Sequence, residues 1–263
     1  MSRLAAKFND LASRGEKALV LFVTGGDPEL EQLPYILDAL AEGGADLIEV
    51  GLPFSDPIAD GPTIQASSQR ALDRGITPKR VIEACSGFER VPLVAMGYYN
   101  TVLRQGEKEF ADLLAKNGFS GTIISDLTPE ESGSWIVASQ AAGLDNVFLV
   151  APTSTPERLR LAAGASSGFV YAVSRTGVTG AGNQVPASVS ELVSSLQAVT
   201  THPICVGFGI STAEHVSMVC EHADGAVVGS WLVNELADYW KGGEGRETLI
   251  EKVKALKAAT KAS

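Results

Sequence analysis

An α/β fold, specifically a (β/α)8 TIM barrel with an extra N-terminal helix and an extra helix before strand three, is predicted by three observations. Eight short β-branched runs, apolar on both faces, alternate with amphipathic segments, as parallel strands sheathed by helices require. Glycines close the amphipathic segments, and cap-plus-proline pairs open several of them. Eight such units in 263 residues match a barrel in size, and no low-complexity linker divides the chain, so residues 1–263 are expected to form one barrel domain.

The elements follow in order. Residues Arg3 to Arg14 form the extra helix, placed to plug the barrel bottom. "ALVLFVT" is the first strand, and Asp27–Pro28 announces the helix Glu29 to Glu42, which Gly43–Gly44 ends. "DLIEVG" is the second strand; a helix begins near Pro62, and Thr77 to Phe88 adds the second helix before strand three, "VPLVAMG". Glu107 to Lys116 is helical up to Gly118, and "GTIISD" is the fourth strand. The next helix stops at Gly143, before the fifth strand, "NVFLVA". Thr155–Pro156 opens a helix that Gly164 ends, ahead of "GFVYAVS", the sixth strand. "PICVGFG" and "GAVVGS" complete the set, separated by a helix with a capping box at Ser211 and Glu214. Gly242 to Ala259 supplies the terminal helix, and the tail "KAATKAS" is expected to fray.

Composition narrows the function. A formal charge of −10 disfavours nucleic acid or an anionic membrane surface as partner, because neither would be attracted over long range. Cys85, Cys205 and Cys220 are an odd number with no CxxC spacing, which fits buried thiols in a reducing compartment. The N-terminus lacks the apolar core of a signal peptide, and no run approaches the roughly 18 apolar residues of a membrane span, so a cytoplasmic location is expected.

In this architecture chemistry belongs to the C-terminal strand ends and the loops after them. Polar residues there are Glu49, Asp56, Asp60, Tyr98, Asn100, Asp126, Tyr171, Ser174, Arg175, Thr179 and Ser230. His202, His215 and His222 lie elsewhere, so no metal site is expected at the mouth. No lysine stands at a strand end, which removes a Schiff-base route. Catalysis must then use carboxylates, hydroxyls and the substrate's own electronics.

Within "ADLIEVG" the alternation of a strand puts Leu47, Glu49 and Gly51 on one face and Ile48 and Val50 on the other. Glu49 therefore points into the barrel, where desolvation raises its pKa and suits it to give and take a proton near neutrality. Asp60 follows eleven positions later in "PFSDPIADGP", whose prolines Pro53 and Pro57 stiffen the loop. It is a second acid over the same cavity or, alternatively, a turn residue stabilising the helix at Pro62. Glycine-rich turns at "SRTGVTGAGN", "GFGIS" and "GSW" offer backbone amides for a phosphate, with Gly180, Gly207, Gly209, Gly229 and Ser230 as candidates. The first of these turns, with Gly177 and Gly182 as hinges, reads as a lid. Phe22, Met96, Ile123, Val150, Tyr171 and Phe208 would wall a pocket for a flat ring.

Together, "FVTGGDP", "EVGLPFSDPIADGPTIQ", "YYN", "SDLTPEES", "YAVSRTGVTG", "GFGIS" and "VVGS" resemble, in order and across nearly the whole chain, the tryptophan synthase alpha chain family. The resemblance implies retro-aldol cleavage of indole-3-glycerol phosphate to indole and glyceraldehyde 3-phosphate, with no cofactor in this chain. It implies Glu49 as general acid/base and Asp60 as the carboxylate that stabilises the indole N–H. Tyr171 matches a tyrosine packed beside the glutamate, and Thr179 a lid residue that meets Asp60. Phe22, Met96 and Ile123 match ring contacts, and Gly180, Gly209, Gly229 and Ser230 the phosphate site. It further implies an α2β2 complex whose beta chain carries pyridoxal phosphate (PLP) and receives indole, with Pro53, Asp56 and Pro57 at the interface. Thr101, Thr128 and Met96 depart from the pattern without touching the acids. Two other readings stay open: a different phosphosugar barrel or free-standing indole-releasing lyase, and a catalytically silent barrel that activates a partner.

Overall fold

The computed structural model describes residues 1–173, 187–207 and 209–261. Among them nine strands form one sheet, and every pairing is parallel. They are β1 Ala18–Thr24, β2 Leu47–Gly51, β3 Leu93–Gly97, β4 Phe119–Ile124, β5 Asp145–Asn146, β6 Leu149–Val150, β7 Val170–Val173, β8 Ile204–Gly207 and β9 Gly225–Val228. The order runs β5-β4-β3-β2-β1-β9-β8-β7-β6. Because β5 and β6 are consecutive in the chain, the two ends of that order meet and the sheet closes into a barrel.

The count of nine comes from the expected fifth strand, which is broken. Two hydroxyls from the end of the preceding-layer helix enter its ladder: Ser167 Oγ accepts from Asn146 N–H at 2.9 Å, and Ser166 Oγ from Phe148 N–H at 3.2 Å. The segment therefore pairs with β4 only through its first half and with β7 only through its second.

Two apolar layers sheathe the strands. Val20, Leu47, Val94, Ile123, Val147, Phe169, Cys205 and Val227 fill the barrel interior, while Leu19, Leu21, Ile48 and Val206 face the helices. This is the period-two alternation of a strand buried on both sides. Helix Arg3–Ser13, capped by Ser2 Oγ accepting from Ala5 N–H, drives Leu4, Phe8 and Leu11 into the interior layer against Phe169. Each such burial contributes roughly 1.5–3 kcal/mol, so the expected plug is a structural floor.

Some predicted boundaries hold and others differ. The second helix before β3, capped by Thr77, is Pro78–Ala84 and stops short of the expected Phe88; the terminal helix starts at Arg246 rather than Gly242; helix Glu107–Lys116 begins and ends where expected. Gly44 ends helix Leu33–Gly43 at φ 104°, a conformation open to glycine. Asp27, by contrast, caps nothing: its carboxylate is turned to Arg70, and the helix opens through a 3-10 turn at Leu30–Gln32. Gly164 lies inside helix Pro156–Ala165, which ends at Ser166 instead, where the hydroxyl also bonds the Ala162 carbonyl. The cap expected at Ser211 is Thr212, which accepts from His215 N–H. The tail does not fray through residue 261. Lys257 Nζ, after helix Arg246–Ala258 has packed down, bonds Asp46 at 2.8 Å and Glu16 at 3.1 Å, and Thr260 is fully buried with its carbonyl accepting from Lys17 N–H.

Candidate active site

Glu49 sits in β2, in register with Phe22 on β1 and Val94 on β3. Alternation turns it inward, and it is 1% exposed. Neither carboxylate oxygen has a hydrogen-bond partner among the described residues. Burial without a compensating donor pushes its pKa from 4.5 up to about 8. An unpaired buried acid costs folding free energy, so its presence calls for a reason outside stability.

The loop after β2 brings the second acid. Phe54 N–H donates to Ser68 Oγ at 3.0 Å, and Gln65 Nε2 donates to the Asp60 carbonyl at 2.8 Å, so helix Pro62–Asp73 grips both ends of the loop. Tyr98, just past β3, donates its hydroxyl hydrogen to Asp60 Oδ2 at 2.9 Å and accepts from Ala59 N–H at 3.1 Å. Its ring stacks on Phe54 at 4.7 Å. Gly61 occupies the N-cap of the following helix and no side chain caps it, so the Asp60 carboxylate serves Tyr98 rather than the helix end. Burial raises the Asp60 pKa and the Tyr98 hydrogen bond opposes the rise.

A cavity of about 910 Å³ opens at this rim. Asp60, Ile64, Met96, Tyr171, Val227 and Gly229 are part of its wall. A small recess of about 20 Å³, lined by Phe22, Thr24 and Gly51, adjoins it and shares Asp60 and Met96. Gly51, two residues beyond Glu49 on the same strand face, leaves room for the Phe22 ring, since a Cβ there would lie 2.5 Å from Phe22 Cζ. Gly207 does the same for Tyr171, whose hydroxyl a Cβ would meet at 2.6 Å. Burial first, then the charges of Glu49 and Asp60, hold the Tyr171 phenol well above its ordinary pKa, so this ring feels both acids.

Across the cavity, Gly209, Gly229 and Ser230 line the wall. Ser230 begins helix Ser230–Tyr239, whose N-cap Gly229 supplies no side-chain cap. A helix start without a side-chain cap leaves its first N–H groups without an intrahelical partner, and the helix dipole favours an anion there.

The expected site residues therefore fall into three groups. Asp60, Tyr171, Phe22, Met96, Gly209, Gly229 and Ser230 line the cavity or its recess, and Glu49 lies beside Phe22 in register, buried behind that wall rather than part of it. Ile123 does not reach the cavity wall; it is fully buried in the interior layer with Leu4 and Val147. Val150 borders the cavity but packs with the outer layer, and Leu149 is the inward residue of that pair, because the alternation set by inward Val147 and outward Phe148 carries straight through the split strand. Pro53, expected at a partner interface, is buried, because the Phe54–Ser68 anchor folds the loop start against the helix; Asp56 is exposed and Pro57 half-buried. Thr179, Gly180, Phe208 and the expected lid lie outside the described residues. Sequence reasoning noted Tyr98 as polar but gave it no role, although its place right after a strand end was the available signal. Among the described residues no three His, Cys, Asp or Glu side chains converge as metal ligands, and no helix is long and apolar enough to cross a membrane.

A parallel (β/α)8 barrel with a buried acid, a second acid on the cavity wall and a helix start without a side-chain cap at the C-terminal rim defines a class, the barrel enzymes that work at that end. The comparisons give the family. The family described as tryptophan synthase alpha chain matches residues 8–262. Relatives of that name include proteins of Geobacter sulfurreducens, 45% identical over 94% of this chain and 95% of its own, and Gloeobacter violaceus, 48% identical over 89% and 87%. Mycobacterium tuberculosis tryptophan synthase superposes with a TM-score of 0.90 at 38% identity, covering 100% of this chain and 99% of its own. The alpha subunit of Legionella pneumophila str. Paris gives 0.90 at 30% identity, covering 99% and 98%. The chain belongs to the tryptophan synthase alpha chain family, enzyme subunits of tryptophan biosynthesis, and its place as an alpha chain implies a beta partner.

Proposed function

We propose that this chain is a carbon–carbon lyase that cleaves indole-3-glycerol phosphate to indole and glyceraldehyde 3-phosphate. The observation that carries the reading is Glu49, a wholly buried carboxyl inside a barrel strand, without a hydrogen-bond partner among the described residues and with a pKa pushed up to about 8. At neutral pH it is mostly protonated. It gives its proton to indole C3, which makes the ring an electron sink. The resulting carboxylate takes the proton of the hydroxyl on the adjoining side-chain carbon. The bond from C3 to that carbon then breaks, its electron pair returns to the ring, and the hydroxyl carbon leaves as an aldehyde.

Asp60 accepts the indole N–H and stabilises the positive charge that develops when C3 is protonated. Tyr98 orients it through the 2.9 Å hydrogen bond. Phe22, Met96 and Tyr171 hold the ring, and Gly209, Gly229 and Ser230 hold the phosphate, with Gly180 and Thr179 completing the site from the adjoining loop. Ile123 supports the ring site from beneath.

The beta partner receives the indole in an α2β2 assembly in the cytoplasm, and PLP is the partner's cofactor. Exposed Asp56 and half-buried Pro57, beside Ile58 at 80% exposure, are the surface offered to it. Indole release from indole-3-glycerol phosphate, measured with the parent and with Glu49→Gln, tests the reading. Release by the parent and its loss in the variant are expected; no release from the parent, with or without a beta chain, rules the reading out.

A further inference from the structure

Helix Pro62–Asp73 starts two residues after Asp60, and two sets of contacts hold it. The first set, Gln65 to the Asp60 carbonyl and Ser68 to Phe54, binds the helix to the loop it carries. Those bonds let loop and helix move as one body, so they cannot by themselves fix Asp60 relative to Glu49. The second set ties the helix to the barrel. Ser67 Oγ lies 2.7 Å from Thr24 Oγ1 at the end of β1, and both side chains are buried. One turn further along, Arg70 grips Asp27, in the loop after β1, with Nε at 2.9 Å from Oδ1 and Nη2 at 2.6 Å from Oδ2. Arg74 reaches the same carboxylate at 3.4 Å, and the Asp27 side chain is only 4% exposed.

We propose that the Asp27–Arg70 fork, with the Thr24–Ser67 pair beside it, sets the position of helix Pro62–Asp73 on the barrel and thereby holds Asp60 over the cavity; Arg70 is a positioning residue. The proposal rests on the role given to Asp60 above. Geometry favours it over plain stabilisation. A planar guanidinium meeting a buried carboxylate by two parallel bonds fixes direction as well as distance, which an ammonium does not. The anchored strand is β1, whose Phe22 stands beside Glu49 in register, so the tie runs from the second acid to the frame of the first. The helical stretch Pro62 to Arg70, about 12 Å long, separates the fork from the loop end that carries Asp60. A slackened far end tilts the near end, and a displacement of about 1 Å can cost about 10²-fold in rate.

The experiment measures steady-state indole release for Arg70→Met, Arg70→Lys and Ser67→Ala, each in the parent and in the Asp60→Asn background, with crystal structures of the variants. Arg70→Met is expected to lower kcat about 10-fold with KM within about twofold, and Arg70→Lys to recover only part of it. In the Asp60→Asn background the same substitutions should change kcat less than about twofold, because residues that act as a unit are not additive. Ser67→Ala removes no charge, so it keeps the question open to measurement if Arg70→Met folds poorly; about threefold in the same pattern is expected. Equal losses in both backgrounds, or a loss carried by KM and the amount of folded protein alone, overturn the proposal. If the parent releases no indole, the reading of the site fails and the crystal structures still decide this one. An Asp60 carboxylate drawn away from Tyr98 in Arg70→Met supports it, and an unmoved carboxylate overturns it.

Discussion

Two buried carboxylates lie three residues apart, one just before β2 and one in its middle, and they are treated in opposite ways. Asp46, just before β2, accepts from Leu19 N–H and from Lys257 Nζ, each at 2.8 Å. Glu49, inside β2, has no partner among the described residues. Asp46 joins the first strand, the second strand and the terminal helix at the barrel's lower end. Glu49 joins nothing. The strand thus runs from an acid spent on holding the fold to one kept free of it, and in this architecture the end it runs towards is where chemistry is done.

The largest effect that tests the contrast is Glu49→Gln, expected to lower indole release by about 10³-fold while leaving the fold intact. The folded pKa of about 8 stands above the ordinary 4.5, so the protonated form is the one the fold prefers. Its contribution to stability is intact below 4.5 and is lost as pH climbs to about 8. The amide cannot ionise, so the variant should be more stable than the parent at pH 8, by up to about 4 kcal/mol, with no gain at pH 4. Urea denaturation at the two pH values checks this; a variant less stable than the parent at pH 8 would contradict it.

Asp60→Asn should reduce kcat by about 10²-fold and leave the affinity for glycerol phosphate unchanged, since it removes charge stabilisation and not the phosphate contacts. Calorimetry beside the steady-state assay separates the two. Asp46→Asn should do the reverse: a loss of about 2–3 kcal/mol in urea unfolding, from leaving Lys257 without its main partner, with kcat per folded molecule unaltered. An activity loss that tracks Asp46 would erase the division between the two acids. The smallest effect is the pH dependence of the parent. Because the proton donor is the protonated form of Glu49, kcat/KM should fall by up to about tenfold per pH unit above about 8.

The barrel and its inward acid were legible because their signals are local. Strand alternation alone turned Glu49 inward, whereas the proline-stiffened loop left Asp60 open between a second acid and a helix-end residue, and only the family resemblance gave it a role. What stayed illegible was set by contacts between distant residues. Ser166 and Ser167 break the fifth strand by supplying hydroxyls across about twenty residues. Gly164 carried the marks of a helix end, yet Ser166 satisfied the last turn better. Asp27 resembled a cap until Arg70, 43 positions away, claimed it. The tail looked like a polar terminus, and only the fold reveals that Lys257 has two carboxylates waiting for it. Pro53, which the resemblance puts at a partner interface, is buried in this chain beside the bond from Phe54 N–H to Ser68, a contact no local signal announces.

The stapling of β1 from behind has a consequence for how the protein is made. A ribosome delivers Ala18–Thr24 early, but that strand's second neighbour is Gly225–Val228 and the groups that lock its entrance are Lys257 and Thr260. Until residues 225–261 have been synthesised, the nascent sheet carries an unpaired edge along its first strand, the kind of edge that recruits other chains. Completion of the ring is therefore a late event in the life of the polypeptide, and the interval before it is when a chaperone would matter most.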